Sequence, residues 1–469
     1  MNIDKSDFHL RLSAFICGSI LLSSALHAAG DYQEKLDRPD IPFSDAARAV
    51  KNREIAGGVE FSLGGSLQHR YQALDNRRDF TYRQNDEDFS ILARERVNLD
   101  IHYQQFVKVC IEAQDAHEFF RDRLPGTNPN ENSLDIYQAY GEIGLLLDIV
   151  DKPALVLRAG RQEFVLGQGH IFSSNDWLNQ GQNFDMVRAI WRPDGFQIDA
   201  FAGWPVVQDH RNADSPSSHR NFAGANLKAL GIPHGHTVEG FAIYTWNEKI
   251  DFVGELPEQR GPERVLSFGG RADGKFLQRF DYNLDFTYQV GERAEMDVNA
   301  FDAYAELGYT LPLDWRTVRF AFAYSVASGD ENPDDGRTQT FDPLFGDQFK
   351  FHSKLLVAGA RNLEDINPKV HFRVWRGGLI EIDYHIFYLN QAKDAFYAAN
   401  GRPSRRNVSG QGGRNAGREF DFQVTHTFHE NLSVTGGVFL FQPGRLFDQS
   451  GNRGDDLARS FFVMVRVGF

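Results

Sequence analysis

The chain has 469 residues, 50 Lys and Arg against 64 Asp and Glu, and a formal net charge of −14. A mean hydropathy of −0.44 excludes a polytopic helical membrane protein, because a spanning helix needs about 20 mostly apolar residues and no such run follows the first thirty positions. The negative charge argues against a nucleic-acid binder, which needs a basic face, and 43 Gly, 40 Phe and 15 Tyr beside two Cys and four Met suit a β-rich chain without disulfides.

Residues 1–28 read as a secretory signal peptide. Arg11 precedes an uncharged stretch from Leu12 to Leu26, and small residues follow at Ala28, Ala29 and Gly30, so cleavage after 28 or after 30 fits the pattern. Cys17 leaves with that segment. The mature chain then keeps only Cys110, and no intramolecular disulfide is possible. A secreted chain of this size without disulfides must be stabilised by a large core or by closure of a sheet. Residues 31–56, with Pro39, Pro42 and several charges, read as a periplasmic N-terminal extension.

From 57 to 469 the period is two, not 3.6, in segments of roughly ten residues. In 280–290, Tyr282, Leu284, Phe286, Tyr288 and Val290 share one face and Asn283, Asp285, Thr287 and Gln289 the other. In 318–327, Val318, Phe320, Phe322 and Tyr324 oppose Arg319, Ala321, Ala323 and Ser325. In 378–389, Ile380, Ile382, Tyr384, Ile386 and Tyr388 oppose Glu381, Asp383, His385 and Phe387. In 418–428, Phe420, Phe422, Val424 and Phe428 oppose Glu419, Asp421 and Gln423. Mid-strand charges on one face, with aromatics near strand ends on the other, are the pattern of an all-β, transmembrane antiparallel β-barrel. Roughly 18 or 19 segments qualify, and since bacterial barrels use even numbers, about 18 strands are expected. The weakest candidate is 222–229.

The Gly, Asp, Asn and Arg-rich stretches 76–90, 117–133, 205–221, 328–350 and 395–417 read as long extracellular loops, and links such as His429–Asn431 as short periplasmic turns. The chain ends on a strand in which Phe461, Val463, Val465, Val467 and Phe469 share a face. A terminal Phe469 on an alternating strand resembles the assembly signal read by the barrel assembly machinery of bacterial outer membranes.

Three stretches resemble the alginate-export family of outer-membrane porins. The first is Arg158-Ala-Gly-Arg-Gln162 with Trp177 and Phe184-Asp-Met-Val-Arg188. The second, the most specific, is Ala327-Ser-Gly-Asp-Glu-Asn-Pro-Asp-Asp-Gly336 continuing to Thr340-Phe-Asp-Pro-Leu-Phe345. The third is Gly417-Arg-Glu-Phe-Asp421 with Gln442-Pro-Gly444. The resemblance implies a monomeric barrel in the outer membrane, surrounded by lipid. Its lumen would carry arginines facing acids, and an anionic polysaccharide, alginate or a related polyuronate, would pass through it.

A polyuronate bears one carboxylate per sugar, and arginine meets a carboxylate with a planar fork that stays charged. Alternation sends Arg94 and Arg96 inward opposite Val97, Leu99 and Ile101; Arg188 and Arg192 inward opposite Val187, Ala189 and Trp191; and Arg466 inward opposite Phe469. Arg319 and Arg373 follow by the same argument, and Arg70, Arg158 and Arg271 join them. Arg161 shares a face with Ala159 and Leu157, and only a bulge at Gly160 would turn it inward. Inward acids are equally numerous, among them Asp100, Glu112, Glu142, Asp199, Asp285, Glu306, Glu381, Asp383, Glu419 and Asp421. Arginines and acids that merely pair to fill a wide wall are therefore the competing reading.

Asp330, Asn332 and Asp334 offer oxygen ligands of the kind calcium prefers, although Gly336 falls one place late and position 341 is Phe where an EF-hand has Glu. No other cofactor is expected. Catalysis has little support: His69, His371 and His385 are scattered, and Ser173 and Ser174 near His170 have no acid partner and read as a turn. The remaining alternatives are a general or small-anion porin without a polymer substrate, an outer-membrane enzyme, and a plugged structural barrel.

Overall fold

The computed structural model describes residues 53–76, 87–104, 106–120, 130–145, 155–209, 212–217, 219–252, 259–313, 316–448 and 456–469. The expected signal peptide and residues 31–52 of the extension lie outside them. Arg53–Ala56 is a short strand that pairs back on the wall.

Eighteen strands form that wall. The first six are β1 (Val59–Asp75), β2 (Asp88–Tyr103), β3 (Val107–Phe119), β4 (Asn132–Leu145), β5 (Leu155–Gln162) and β6 (Phe184–Trp191). Next come β7 (Phe196–Val207), β8 (Asn221–Ala229), β9 (Thr237–Phe252), β10 (Gln259–Phe276), β11 (Phe280–Arg293) and β12 (Met296–Leu313). The last are β13 (Arg316–Ala327), β14 (Leu363–Trp375), β15 (Gly378–Leu389), β16 (Asn415–His429), β17 (Leu432–Pro443) and β18 (Ala458–Gly468). Each pairs antiparallel with the next, and β18 pairs with β1 from Ser66↔Gly468 to Asp75↔Arg459. Closure removes the sheet edge, whose unpaired N–H and C=O groups lipid could not satisfy.

The weak segment 222–229 is a full wall strand. β8 is paired with β7 and β9 from Phe222 to Ala229. Its signal is faint because Ala223, Gly224 and Ala225 have too little side chain to show an apolar face.

The two faces follow the expected alternation. On β11, Leu284 and Phe286 are exposed outward, while Asp285, Thr287 and Gln289 are buried inside. On β13, Phe320, Phe322 and Tyr324 point outward. A charge on the lipid face costs a few kcal/mol near mid-bilayer, which keeps the ionised groups on the other side of the sheet.

An even strand number brings both ends of the wall to one rim. That rim carries short turns such as 376–377 and 430–431; the opposite rim carries 163–183, 328–362 and 390–414. One connection at the loop-bearing rim is short. Ala294 and Glu295, both at positive φ, turn β11 directly into β12, the backbone a two-residue hairpin requires.

The loop-bearing half of the barrel is filled. Loops 163–183 and 328–362 fold inside and meet along a parallel bridge, Phe172↔Phe345. Ser173 N–H donates to Phe345 O (3.1 Å), Phe345 N–H to Ile171 O (2.9 Å) and Asp347 N–H to Gly169 O (3.0 Å). Phe164, Phe172 and Phe345 pack there against the wall residues Phe184, Phe201 and Phe222. A second core sets Leu355, Phe396 and Phe447 from three loops against Phe387, Phe439, Phe441 and Phe462 of the wall. These wall phenylalanines stand on the lumen register, which the binary pattern reserved for polar residues.

Phe469 completes the seam between β18 and β1. Its N–H donates to Gly65 O and its carbonyl accepts from Gly65 N–H, both at 3.0 Å. Its ring fills the space a side chain at 65 would take, since a Cβ there would lie 2.6 Å from it. Deleting Phe469 is expected to lower the folded fraction severalfold, read as the heat-modified gel shift after refolding into lipid. A normal folded fraction would count against an assembly role.

Candidate functional site

Four of the expected lumen arginines point inward and grip a loop. Arg70 Nη1 donates to Trp177 O at 2.7 Å, and its guanidinium stacks 3.9 Å over the Trp177 ring. Arg94 donates to the carbonyls of Asp176 (3.2 Å) and Leu178 (3.3 Å) and pairs with Asp176 Oδ1 at 2.7 Å. Arg96 Nη1 bonds Glu163 at 3.1 Å, and its guanidinium lies over Tyr137. Arg466 pairs with the other Asp176 oxygen. Burial would raise the Asp176 carboxyl; Arg94 and Arg466 outweigh it and hold the group well below the usual carboxylate range. β2 and β18 are thus stapled from inside through one loop carboxylate, and β1 through the Trp177 carbonyl beside it.

The remaining arginines are mostly matched across the sheet. Arg158 pairs with Glu142 (2.6 Å), Arg188 with Asp199, and Arg271 with Glu239 (3.0 Å) and Asp273. Arg319 pairs with Asp281 and with Glu306 at 2.6 Å. Arg161 takes Asp185 at 2.9 Å. Its strand partners are Asp185 and Ala139, on the register of exposed Val187 and Ile143, so it stands on the outer face near the loop-bearing rim and does not line the lumen. Gly160 does have a positive φ of 126°, but the chain resumes the outward register after it. Arg192 donates to Gln197 Oε1 (3.0 Å) in the turn before β7, and Arg373 stands exposed near the short-turn rim.

Between the inward loops and β10–β14 lies a cavity of about 760 Å³. Its cationic lining comes from Lys275, Arg319, Lys350 and Lys369, and its acids are Asp273, Asp281 and Glu306. Arg319 and Lys369 are spoken for, the latter by Glu306 at 2.8 Å. Lys275 and Lys350 make no ion pair among the described residues. Lys350 Nζ donates to Gln168 O at 2.8 Å, and burial, against the pull of Asp347, lowers its pKa from the ordinary lysine value. Tyr304 and Phe351 give the same cavity an aromatic side. Attention to arginine alone passes over these lysines, although Lys369 shares the register of His371 and Arg373 and was within reach of the alternation argument.

In the 330–336 loop, Asp330 Oδ1 accepts Asn332 N–H (3.0 Å), and Asn332 O accepts Asp334 N–H (2.7 Å). Asp330 is buried and its own N–H donates to Asp394 Oδ2 at 3.0 Å, so its carboxylate faces into the loop structure. No group of three or more His, Cys, Asp or Glu disposed for a metal occurs among the described residues. Ser173 Oγ accepts Asn175 N–H at 3.1 Å, which is turn geometry, and His170 stacks on Phe351 with ring centroids 3.5 Å apart.

The sequence profile of the family described as Alginate export matches residues 59–460. Among solved structures, the chain is similar to OccK1 (OpdK) of Pseudomonas aeruginosa at 11% identity and TM-score 0.58, covering 87% of this chain and 98% of that one. The crystal structure of P. aeruginosa OpdK with vanillate gives 11% identity and TM-score 0.57 at the same coverage. A BenF-like porin from Pseudomonas fluorescens Pf-5 gives 10% and 0.55, again over 87% and 98%. No curated protein matches the chain.

Proposed function

We propose, from the premise that this chain belongs to the alginate export family, that the solute it passes is an anionic, uronate-type saccharide. The barrel itself is an outer-membrane channel. The observation that carries the finer reading is the cavity beneath the inward loops, in which Lys275 and Lys350 present ammonium groups with no carboxylate partner among the described residues. A path for an anion needs cations that lower the entry barrier without trapping the solute. Arg319 and Lys369, held by acids beside them, grade that attraction. Tyr304 and Phe351 offer flat apolar faces to a sugar ring. The arginines of β1, β2 and β18 act one step back, by fixing the loop that shapes the passage.

Small carboxylates form a second reading, favoured by the dense packing of loops 163–183 and 328–362 inside the barrel. A structural neighbour, OpdK, was solved with vanillate, a small carboxylate.

Single-channel recording under a salt gradient tests both. An anion-selective current blocked by oligouronates supports the first reading, and a current indifferent to them but carried by monocarboxylates supports the second. Lys275→Gln with Lys350→Gln is expected to move the reversal potential toward zero and weaken block by about tenfold, since each semi-exposed charge contributes on the order of 1 kcal/mol. An unchanged reversal potential would remove the two lysines from the path.

A further inference from the structure

A buried set of titratable groups joins the β13–β14 loop to the wall. His352 and Ser353 come from the loop; Asp365 comes from β14, His385 from β15, and Glu419 and Asp421 from β16. None is more than 5% exposed. The Ser353 hydroxyl donates to Glu419 Oε2 at 2.7 Å, and Leu355 N–H donates to Glu419 Oε1 at 3.0 Å. His385 Nδ1 lies 2.8 Å from Asp365 Oδ2, and its Nε2 lies 3.6 Å from Asp421 Oδ2. His352 Nδ1 approaches the same Asp365 oxygen at 3.6 Å. Asp421 lies against the Glu419 carboxyl, and Asp365 Oδ1 has no hydrogen-bond partner.

Three carboxyl groups and two imidazoles therefore share one water-poor site. Buried charge is tolerated only when it is paired. The surroundings do little to change the balance. Lys369 is held by Glu306, and Asp383 is held by His371 at 2.9 Å. Lys354, on the same loop, lies over the Phe349 ring and attracts Asp421. His170, from the β5–β6 loop, faces His352 and adds positive charge only when protonated. Apart from Lys354, the cations that can compensate the carboxylates at close range are the two imidazolium groups.

We propose that this cluster is a pH-operated latch on the inward loop: protonated imidazoles hold segment 348–357 against β14–β16, and their deprotonation as pH rises releases it. The inference rests on the reading of the barrel as a channel whose path runs past that loop. The sign follows from charge. With the imidazoles neutral the carboxylates lose their counter-charges and repel one another and the loop they bond; with them protonated the pairs are intact.

The test uses the full-length protein in lipid, with hydrogen exchange of segment 348–357, corrected for its intrinsic pH dependence, and single-channel open probability, from about pH 5 to about pH 8. Both are expected to rise by about tenfold or more over that range, the change that one pKa unit of differential stability confers. His385→Gln is expected to leave the segment fast-exchanging even at the acid end. Asp421→Asn, which removes a repelling carboxylate, is expected to keep it docked to higher pH. Exchange that stays flat in the unmodified protein, or an identical step in both variants, would overturn the latch. An exchange step without current at any pH would support the latch and overturn the channel reading instead.

Discussion

Asp176→Asn is expected to raise single-channel conductance several-fold and to make residues 175–182 exchange amide hydrogens rapidly. Asp176 is the loop side chain that meets both Arg94 and Arg466, which Gln68 of β1 also bonds, and those two strands flank β1, whose Arg70 holds the Trp177 carbonyl. Removing one partner of a buried ion pair costs about 3–5 kcal/mol, because the other charge is left without compensation. Asp176 is about a fifth exposed, 22% by side chain, so the low end of that range applies. Roughly 3 kcal/mol shifts a two-state loop equilibrium by about a hundredfold. The aromatic core at Phe164 and Phe172 still roots the loop in the variant, so the tip moves and the barrel stays. The wild type should show the same release in acid. The folded Asp176 carboxyl lies below its ordinary value of 3.8. Its stabilisation is complete above that pH and is lost as pH falls through the depressed value. Conductance that is equal in wild type and variant, at neutral pH, would mean the clamped tip lies outside the conducting path.

Phe345→Ala is expected to separate the two inward loops while leaving the wall intact. The ring contacts Phe172, Phe184 and Phe222 at centroid distances of 4.9, 5.3 and 5.7 Å, at the centre of the inner core. Truncating a buried phenylalanine costs about 3–5 kcal/mol, partly through the cavity it leaves. The wall is held by its own ladder of backbone hydrogen bonds, closed at β1–β18, and does not depend on that ring. Calorimetry should then show a new low-temperature transition before an unchanged main one, with far-ultraviolet circular dichroism constant between them. A single, uniformly lowered transition would show that the plug and the wall unfold together.

The wall was readable in advance for a physical reason. Lipid on one side and polar groups on the other force a period of two, and that period alone placed Arg94, Arg96 and Arg466 inward. It also placed the even strand number within reach. What it missed is what fills the barrel. Phe387 falls on the register of Glu381, Asp383 and His385 and was counted with the polar face, yet it is buried against the loops. Phe439, Phe441 and Phe462 do the same on β17 and β18. Phenylalanine on a lumen register is the signal that something apolar lies inside. Which arginine meets which acid depended on strand register and on loop paths, and neither is encoded in alternation. Arg94 and Asp176 are 82 positions apart and meet only because a loop re-enters the barrel. Attributing the cationic lining to arginine also hid Lys275 and Lys350, whose separate positions converge only in the folded cavity.

The staple of β1, β2 and β18 by the β5–β6 loop has a bearing on how the chain assembles. The closing seam joins residues as far apart as Gln68 and Arg466, separated by 398 positions, a contact whose loop-closure entropy makes it among the slowest to form. Sequential hairpins can form early at little entropic expense, but the final edge has no neighbour in sequence to guide its register. Asp176, roughly a third of the way along, bonds Arg466 of the closing strand and Arg94 of β2, the far neighbour of β1, at once. An insertion intermediate with the plug already seated would present Arg94 and Asp176 as a preformed landing site for Arg466, turning an open-ended search for the last strand into the docking of one guanidinium. The same loop that narrows the finished barrel would then set the register in which it shuts.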